Sequence, residues 1–231
     1  MQKRRLSVIP SKAECLGGLC FLPFYLLLLG AILRLLFPKW GDAARNFAYY
    51  LLCFAVLAII FRRFLRENGR VFCKNFRRIL PELPLWLLGY LALAYLLDRQ
   101  LLRALPEFHN RNNAAIAAML QSDFPLVLSF SAVLAPVVEE TVFRGLIFAP
   151  VQRYSRPAAY LCSAVFFAAL HVVSYLGALT PSEALLSASQ YVPAALLLCA
   201  FYARTDTIFA PMLLHGAVNF VNCVVIYLLG G

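Results

Sequence analysis

Apolar runs long enough to cross a bilayer recur along this chain, and they limit its fold more than any other feature. The runs are 16–37, 43–61, 83–102, 124–150, 157–176, 184–202 and 208–229. Hydrocarbon about 30 Å thick needs roughly 20 apolar residues in a helix. The sequence therefore predicts an all-α fold: a polytopic transmembrane helical bundle of about seven spans. Only 14% of the residues are charged, too few to give a soluble globule a charged surface.

The first run is longer than the apolar core of a signal peptide and lacks a small-x-small cleavage site, so it reads as a span. Bases collect between runs, in Lys3, Arg4 and Arg5 and again in Arg62, Arg63, Arg66, Arg70, Lys74, Arg77 and Arg78. In a soluble protein, a net charge of +10 would suggest nucleic acid. Here it sets topology and meets lipid headgroups, so the partner is a bilayer and not a nucleic acid. The positive-inside rule puts the N-terminus and a basic loop at 62–78 in the cytoplasm, with Pro81 and Pro84 opening the third span. Residues 103–123, with His109, Asn110, Asn112 and Asn113, read as a far-side loop with a short interfacial helix over 114–120. His109 reads as a solvated loop histidine. The seven cysteines are scattered without a CxxC and read as small buried hydrophobes.

Inside the fourth run stand Glu139 and Glu140, followed by Arg144. Ionisable groups in hydrocarbon cost several kcal/mol and usually mark a site or an ion path. On a helix Glu140 and Arg144 share a face at i, i+4, while Glu139 is turned about 100° from Glu140. Pro136 should kink the helix just before the pair. His171 lies in the fifth run; His215 and Asn219 lie one turn apart in the seventh. Counted from the cytoplasmic ends, Glu140 is roughly 15 Å deep, His171 roughly 21 Å and His215 roughly 10 Å. Two carboxylates, two imidazoles, an amide and a guanidinium at such depths predict an acid–base site inside the membrane.

Taken in order on successive helices, Glu139-Glu140-x-x-x-Arg144-Gly145, Phe167-x-x-x-His171 and His215-x-x-x-Asn219 resemble the CAAX protease and bacteriocin-processing family. These are intramembrane endopeptidases, also called Abi proteins. The stretch 202–215 resembles the run before that family's last motif. The resemblance divides the chain into a three-span region with its far-side loop, 1–123, and a four-span catalytic core, 124–231. It implies that Glu139 and His171 hold and deprotonate a water, that His215 and Asn219 bind the developing oxyanion, and that Arg144 pairs with Glu140. The implied activity is hydrolysis of a peptide bond near the terminus of a membrane-anchored protein or peptide, without a cofactor.

Exchanged roles for the two acids stay open at this level. So does a zinc version, through Glu140, His171 and His215. A non-enzymatic proton or ion carrier or an assembly scaffold is the other class, disfavoured because carriers commonly show internal repeats. Topology and chain length suggest a bacterial inner membrane.

Overall fold

The computed structural model describes residues 6–105, 107–108 and 110–229. His109 and the bases Lys3, Arg4 and Arg5 lie outside the described residues. Among those residues, seven helices are long and apolar enough to span a bilayer: α1 Lys12–Leu36, α2 Asp42–Ile60, α3 Arg62–Ala104, α5 Phe124–Gln152, α6 Arg156–Val173, α7 Pro181–Thr205 and α8 Phe209–Leu229. A shorter helix, α4 (Arg111–Ser122), precedes α5. The chain is an integral membrane protein, apolar outside and with a polar cluster buried in its core. Leu35, Leu85, Leu185 and Leu229 are 72–81% exposed, whereas Glu140 and Arg144 are fully buried.

Local signals set the helix ends. Ser11 and Glu14 form a capping box at the start of α1, and Thr180 and Glu183 form another at α7. Asn110 caps α4 by accepting from the amides of Asn112 and Asn113. Asp206 ends α7 in the left-handed region, φ 61°, which a short polar side chain tolerates.

α5 is the central helix: 61% of its most apolar window is buried, against 6–33% for the other spans. It packs against α1, α2, α6, α7 and α8, while α3 lies outside, against α7 and α8.

The structure corrects two expectations. Residues 62–78 are not a loop but the first part of α3, which runs unbroken for 43 residues through Pro81 and Pro84. Both prolines sit on the exposed face. Phe72 and Ile79 before them, Leu83 between them and Trp86 and Leu87 after them join one apolar cluster with Phe201 and Leu214. That continuous packing outweighs the two missing amide donors. Asn68, fully buried, adds a polar tie: its carboxamide oxygen accepts from the Ile208 amide at 2.9 Å and its backbone carbonyl from Thr207 Oγ1 at 3.0 Å.

The second correction concerns α5. Instead of a simple proline kink it holds two π-helical stretches, Phe130–Leu134 and Thr141–Phe148, with Pro136 and Pro150 opening the α-helical segments that follow them. Glu139 and Glu140 end the α-helical segment between the two stretches. Widened turns of this kind often accompany functional sites.

Candidate active site

Arg144 has no exposed side-chain surface. Its Nη1 donates to Glu140 Oε1 at 3.0 Å and its Nη2 to the Ala195 carbonyl of α7, also at 3.0 Å. The guanidinium lies over the Phe167 ring, 4.7 Å from its centroid. The same ring packs 4.7 Å from the His171 ring and 5.8 Å from the His215 ring. Phe167 thus fills the space between the cation and both imidazoles.

The two acids face different partners. Glu140 Oε1 also accepts a hydrogen bond from His215 Nδ1, at 2.9 Å. Glu139 Oε1 accepts from the Tyr50 hydroxyl at 3.0 Å. Its other oxygen, Oε2, is buried without a hydrogen-bond partner among the described residues. His171 Nε2 stands 4.0 Å from Glu139 Oε2, and His215 Nε2 stands 3.9 Å from it.

Partners fix the imidazole tautomers. His171 Nδ1 lies 2.9 Å from the Phe167 carbonyl. A carbonyl only accepts, so that nitrogen carries the proton, and neutral His171 turns its Nε2 lone pair toward Glu139. His215 carries a proton on Nδ1 for the same reason, with a carboxylate in place of a carbonyl. Arg144, Glu140, His215, Glu139 and His171 form one contiguous polar chain through the bundle.

Asn219 lies beside this chain but does not face Glu139 through a hydrogen bond. Its Nδ2 donates to the Ser131 carbonyl at 2.8 Å. The π-helical turn explains why that carbonyl is free. The Ala135 amide reaches back five residues to Phe130, and Pro136 has no N–H. Neither usual helical donor serves Ser131, so α8 supplies one.

Sequence reasoning missed two tyrosines. Tyr50, from α2, touches Glu139 directly. Tyr191, from α7, stacks on His171, with centroids 4.1 Å apart and planes 20° apart. Its hydroxyl contacts Asn112 Nδ2 at 3.2 Å and Asn110 Oδ1 at 3.3 Å, tying the start of α4 to the histidine. Neither tyrosine had a signal: each is one hydroxyl in an apolar run rich in aromatics.

For the zinc set named from the sequence, Glu140 is turned to Arg144 and to the Nδ1 side of His215, while both Nε2 atoms face Glu139. Among the described residues no three His, Cys, Asp or Glu side chains group to hold a metal ion.

Spanning helices enclose a buried chain of acids and imidazoles in the interior of a membrane protein. Residues 121–221 match a family model described as Type II CAAX prenyl endopeptidase Rce1-like. In general terms, that stretch is similar to a CAAX-type membrane endopeptidase. The match contains all six residues singled out from the sequence. No curated protein and no solved structure matches the chain.

Proposed function

We propose that this protein cleaves a peptide bond near the terminus of a membrane-anchored protein or peptide, using a water activated by Glu139 and His171. The observation that carries the proposal is the convergence of two imidazole Nε2 atoms, at 4.0 and 3.9 Å, on one buried carboxylate oxygen of Glu139 that has no hydrogen-bond partner among the described residues. A water oxygen within about 2.8 Å of both Glu139 Oε2 and His171 Nε2 fits that separation with an angle of about 90° at the oxygen. Both protein atoms are acceptors, so each accepts a hydrogen bond from the water, which keeps a lone pair for the substrate carbonyl.

The water oxygen then bonds to the carbonyl carbon, its proton passes to Glu139, and the carbonyl π pair becomes an oxyanion. His215 and Asn219 hydrogen-bond that oxygen. Preorganised donors of this kind contribute roughly 3–4 kcal/mol each. Collapse of the intermediate breaks the C–N bond. The proton held by Glu139 goes to the leaving nitrogen, giving an amine, and the remaining hydroxyl proton of the new carboxyl group passes to His171 Nε2, giving a carboxylate.

The chemistry we assign uses the chain's own side chains and no metal. The substrate class follows the family description, a terminal tail of a membrane-associated chain, and we place the protein in a bacterial inner membrane with its N-terminus in the cytoplasm. Mass spectrometry of new termini in membranes tests the proposal by comparing wild type with Glu139→Ala. Termini present only with wild type are expected; identical sets of termini would remove the protease assignment. Proton flux in proteoliposomes without proteolysis would assign a carrier instead.

A further inference from the structure

The N-terminal spans carry none of the residues assigned to the reaction, yet one of their side chains touches the proposed base. Tyr50 on α2 donates to Glu139 Oε1 at 3.0 Å. Its ring is held on two sides. Phe130 stacks on it with planes 11° apart and centroids 5.8 Å apart, and Tyr49 packs edge-on at 5.1 Å. Tyr49 is itself tied to α1, donating to the Tyr25 carbonyl at 2.7 Å. The hydroxyl therefore reaches Glu139 from a rigid aromatic stack built by α1, α2 and the first π-helical turn of α5.

From this geometry we infer that Tyr50 is a positioning residue for hydrolysis. By occupying Oε1 it fixes the carboxylate torsion and leaves Oε2 as the oxygen that faces both imidazoles. A carboxylate with neither oxygen held samples rotations that carry Oε2 away from His171, and turnover falls with the population of the productive rotamer. The hydroxyl also stays a donor when Glu139 takes up a proton, so the orientation survives the proton transfer. The first two spans thereby complete the catalytic carboxylate, a role separate from substrate choice. The inference rests on the reading of Glu139 as the base.

The test uses full-length protein in liposomes and a peptide copied from a terminus cut by wild type and spared by Glu139→Ala. Tyr50→Phe keeps the ring stack and removes only the oxygen. The expected result is a kcat lower by roughly 10- to 100-fold, with KM and melting temperature unchanged. In the Glu139→Gln background the same substitution is expected to cause no further loss. Infrared difference spectra give a readout independent of turnover: the carboxylate band that disappears in Glu139→Gln should shift in Tyr50→Phe. A Tyr50→Phe kcat within about twofold of wild type, with Glu139→Gln dead, would overturn the inference and leave the proposed function standing. A fall in kcat matched by a fall in melting temperature would make Tyr50 a packing residue. Full turnover in Glu139→Gln would remove the base assignment, and the Tyr50 inference with it.

Discussion

His215 places its Nδ1 2.9 Å from Glu140 Oε1, the same oxygen that receives Arg144 Nη1 at 3.0 Å. One carboxylate oxygen thus holds an imidazole and a guanidinium together, in a region with no side-chain exposure for either Glu140 or Arg144. Glu140→Gln removes the charge that balances both. Breaking a buried pair by removing one partner costs about 3–5 kcal/mol. The amide retains one acceptor, so the lower end, about 3 kcal/mol, is expected in detergent unfolding. Turnover should fall too, because His215 loses the carboxylate that holds its Nδ1.

Glu139→Gln should behave oppositely. Glu139 holds no guanidinium, and an amide oxygen still accepts from Tyr50. Melting temperature should remain near wild type while cleavage is abolished. A strong chelator should leave wild-type cleavage intact, and active protein should carry no stoichiometric zinc. A Glu140→Gln protein that is dead but stable, beside a Glu139→Gln protein that still cleaves, would exchange the roles of the two acids. Loss of zinc together with activity would make the site a metal centre.

Much of this arrangement was legible in the sequence because hydrocarbon makes polar residues conspicuous. Glu139, Glu140, Arg144, His171, His215 and Asn219 stand out from apolar runs, and i, i+4 spacing gave the Glu140–Arg144 pair that the structure shows. The spans were legible from run length, with ends differing from the helices by a few residues everywhere but at the start of α3. What failed were inferences from local rules alone. Basic residues and prolines read as a loop at 62–78, but packing of Phe72, Ile79 and Trp86 on α7 and α8 holds a helix there. Pro136 read as a kink, while the chain widened into π-helical turns whose register no side-chain pattern encodes. Tyr50 and Tyr191 gave no signal, since a tyrosine in a span resembles any aromatic until its neighbour is known.

Orientation has a direct test. The positive-inside rule places the first part of α3 in the cytoplasm and α4 on the opposite side. Asn68 is a poor probe site because it is fully buried; Arg66 and Asn113 are exposed. In a background lacking the exposed Cys20 and Cys73, a membrane-impermeant thiol reagent on intact cells should label Asn113→Cys and spare Arg66→Cys. The reverse pattern inverts the topology.

Asn219 combines two duties that one substitution can separate. Its tie to the Ser131 carbonyl fills a gap left by Pro136, so Asn219→Ala leaves a partly buried acceptor unpaired. The expected cost is about 1–3 kcal/mol of stability. As an oxyanion donor its loss should also lower kcat by roughly 10²–10³. A stability loss with full turnover would leave Asn219 as a helix tie only.

Gly216 lets α8 approach α5 closely enough for these contacts. A Cβ added there would stand 2.5 Å from the Ala132 carbonyl oxygen and 3.9 Å from Pro136 Cγ. The first distance is far inside van der Waals contact, and its partner is backbone, so no rotamer change relieves it. Small residues at such crossings allow transmembrane helices to meet. Gly216→Ala must therefore push α8 away from the Phe130–Leu134 turn, at a cost of about 1–3 kcal/mol. The displacement acts on both neighbours of the glycine along the helix: His215 moves from Glu140, and Asn219 moves from the Ser131 carbonyl. Turnover should fall along with melting temperature. Gly30→Ala is the control, since a Cβ there meets nothing within 4 Å and should leave both quantities unchanged. Equal stability of Gly216→Ala and wild type in a detergent melt would show that the α5–α8 crossing is looser than 2.5 Å requires.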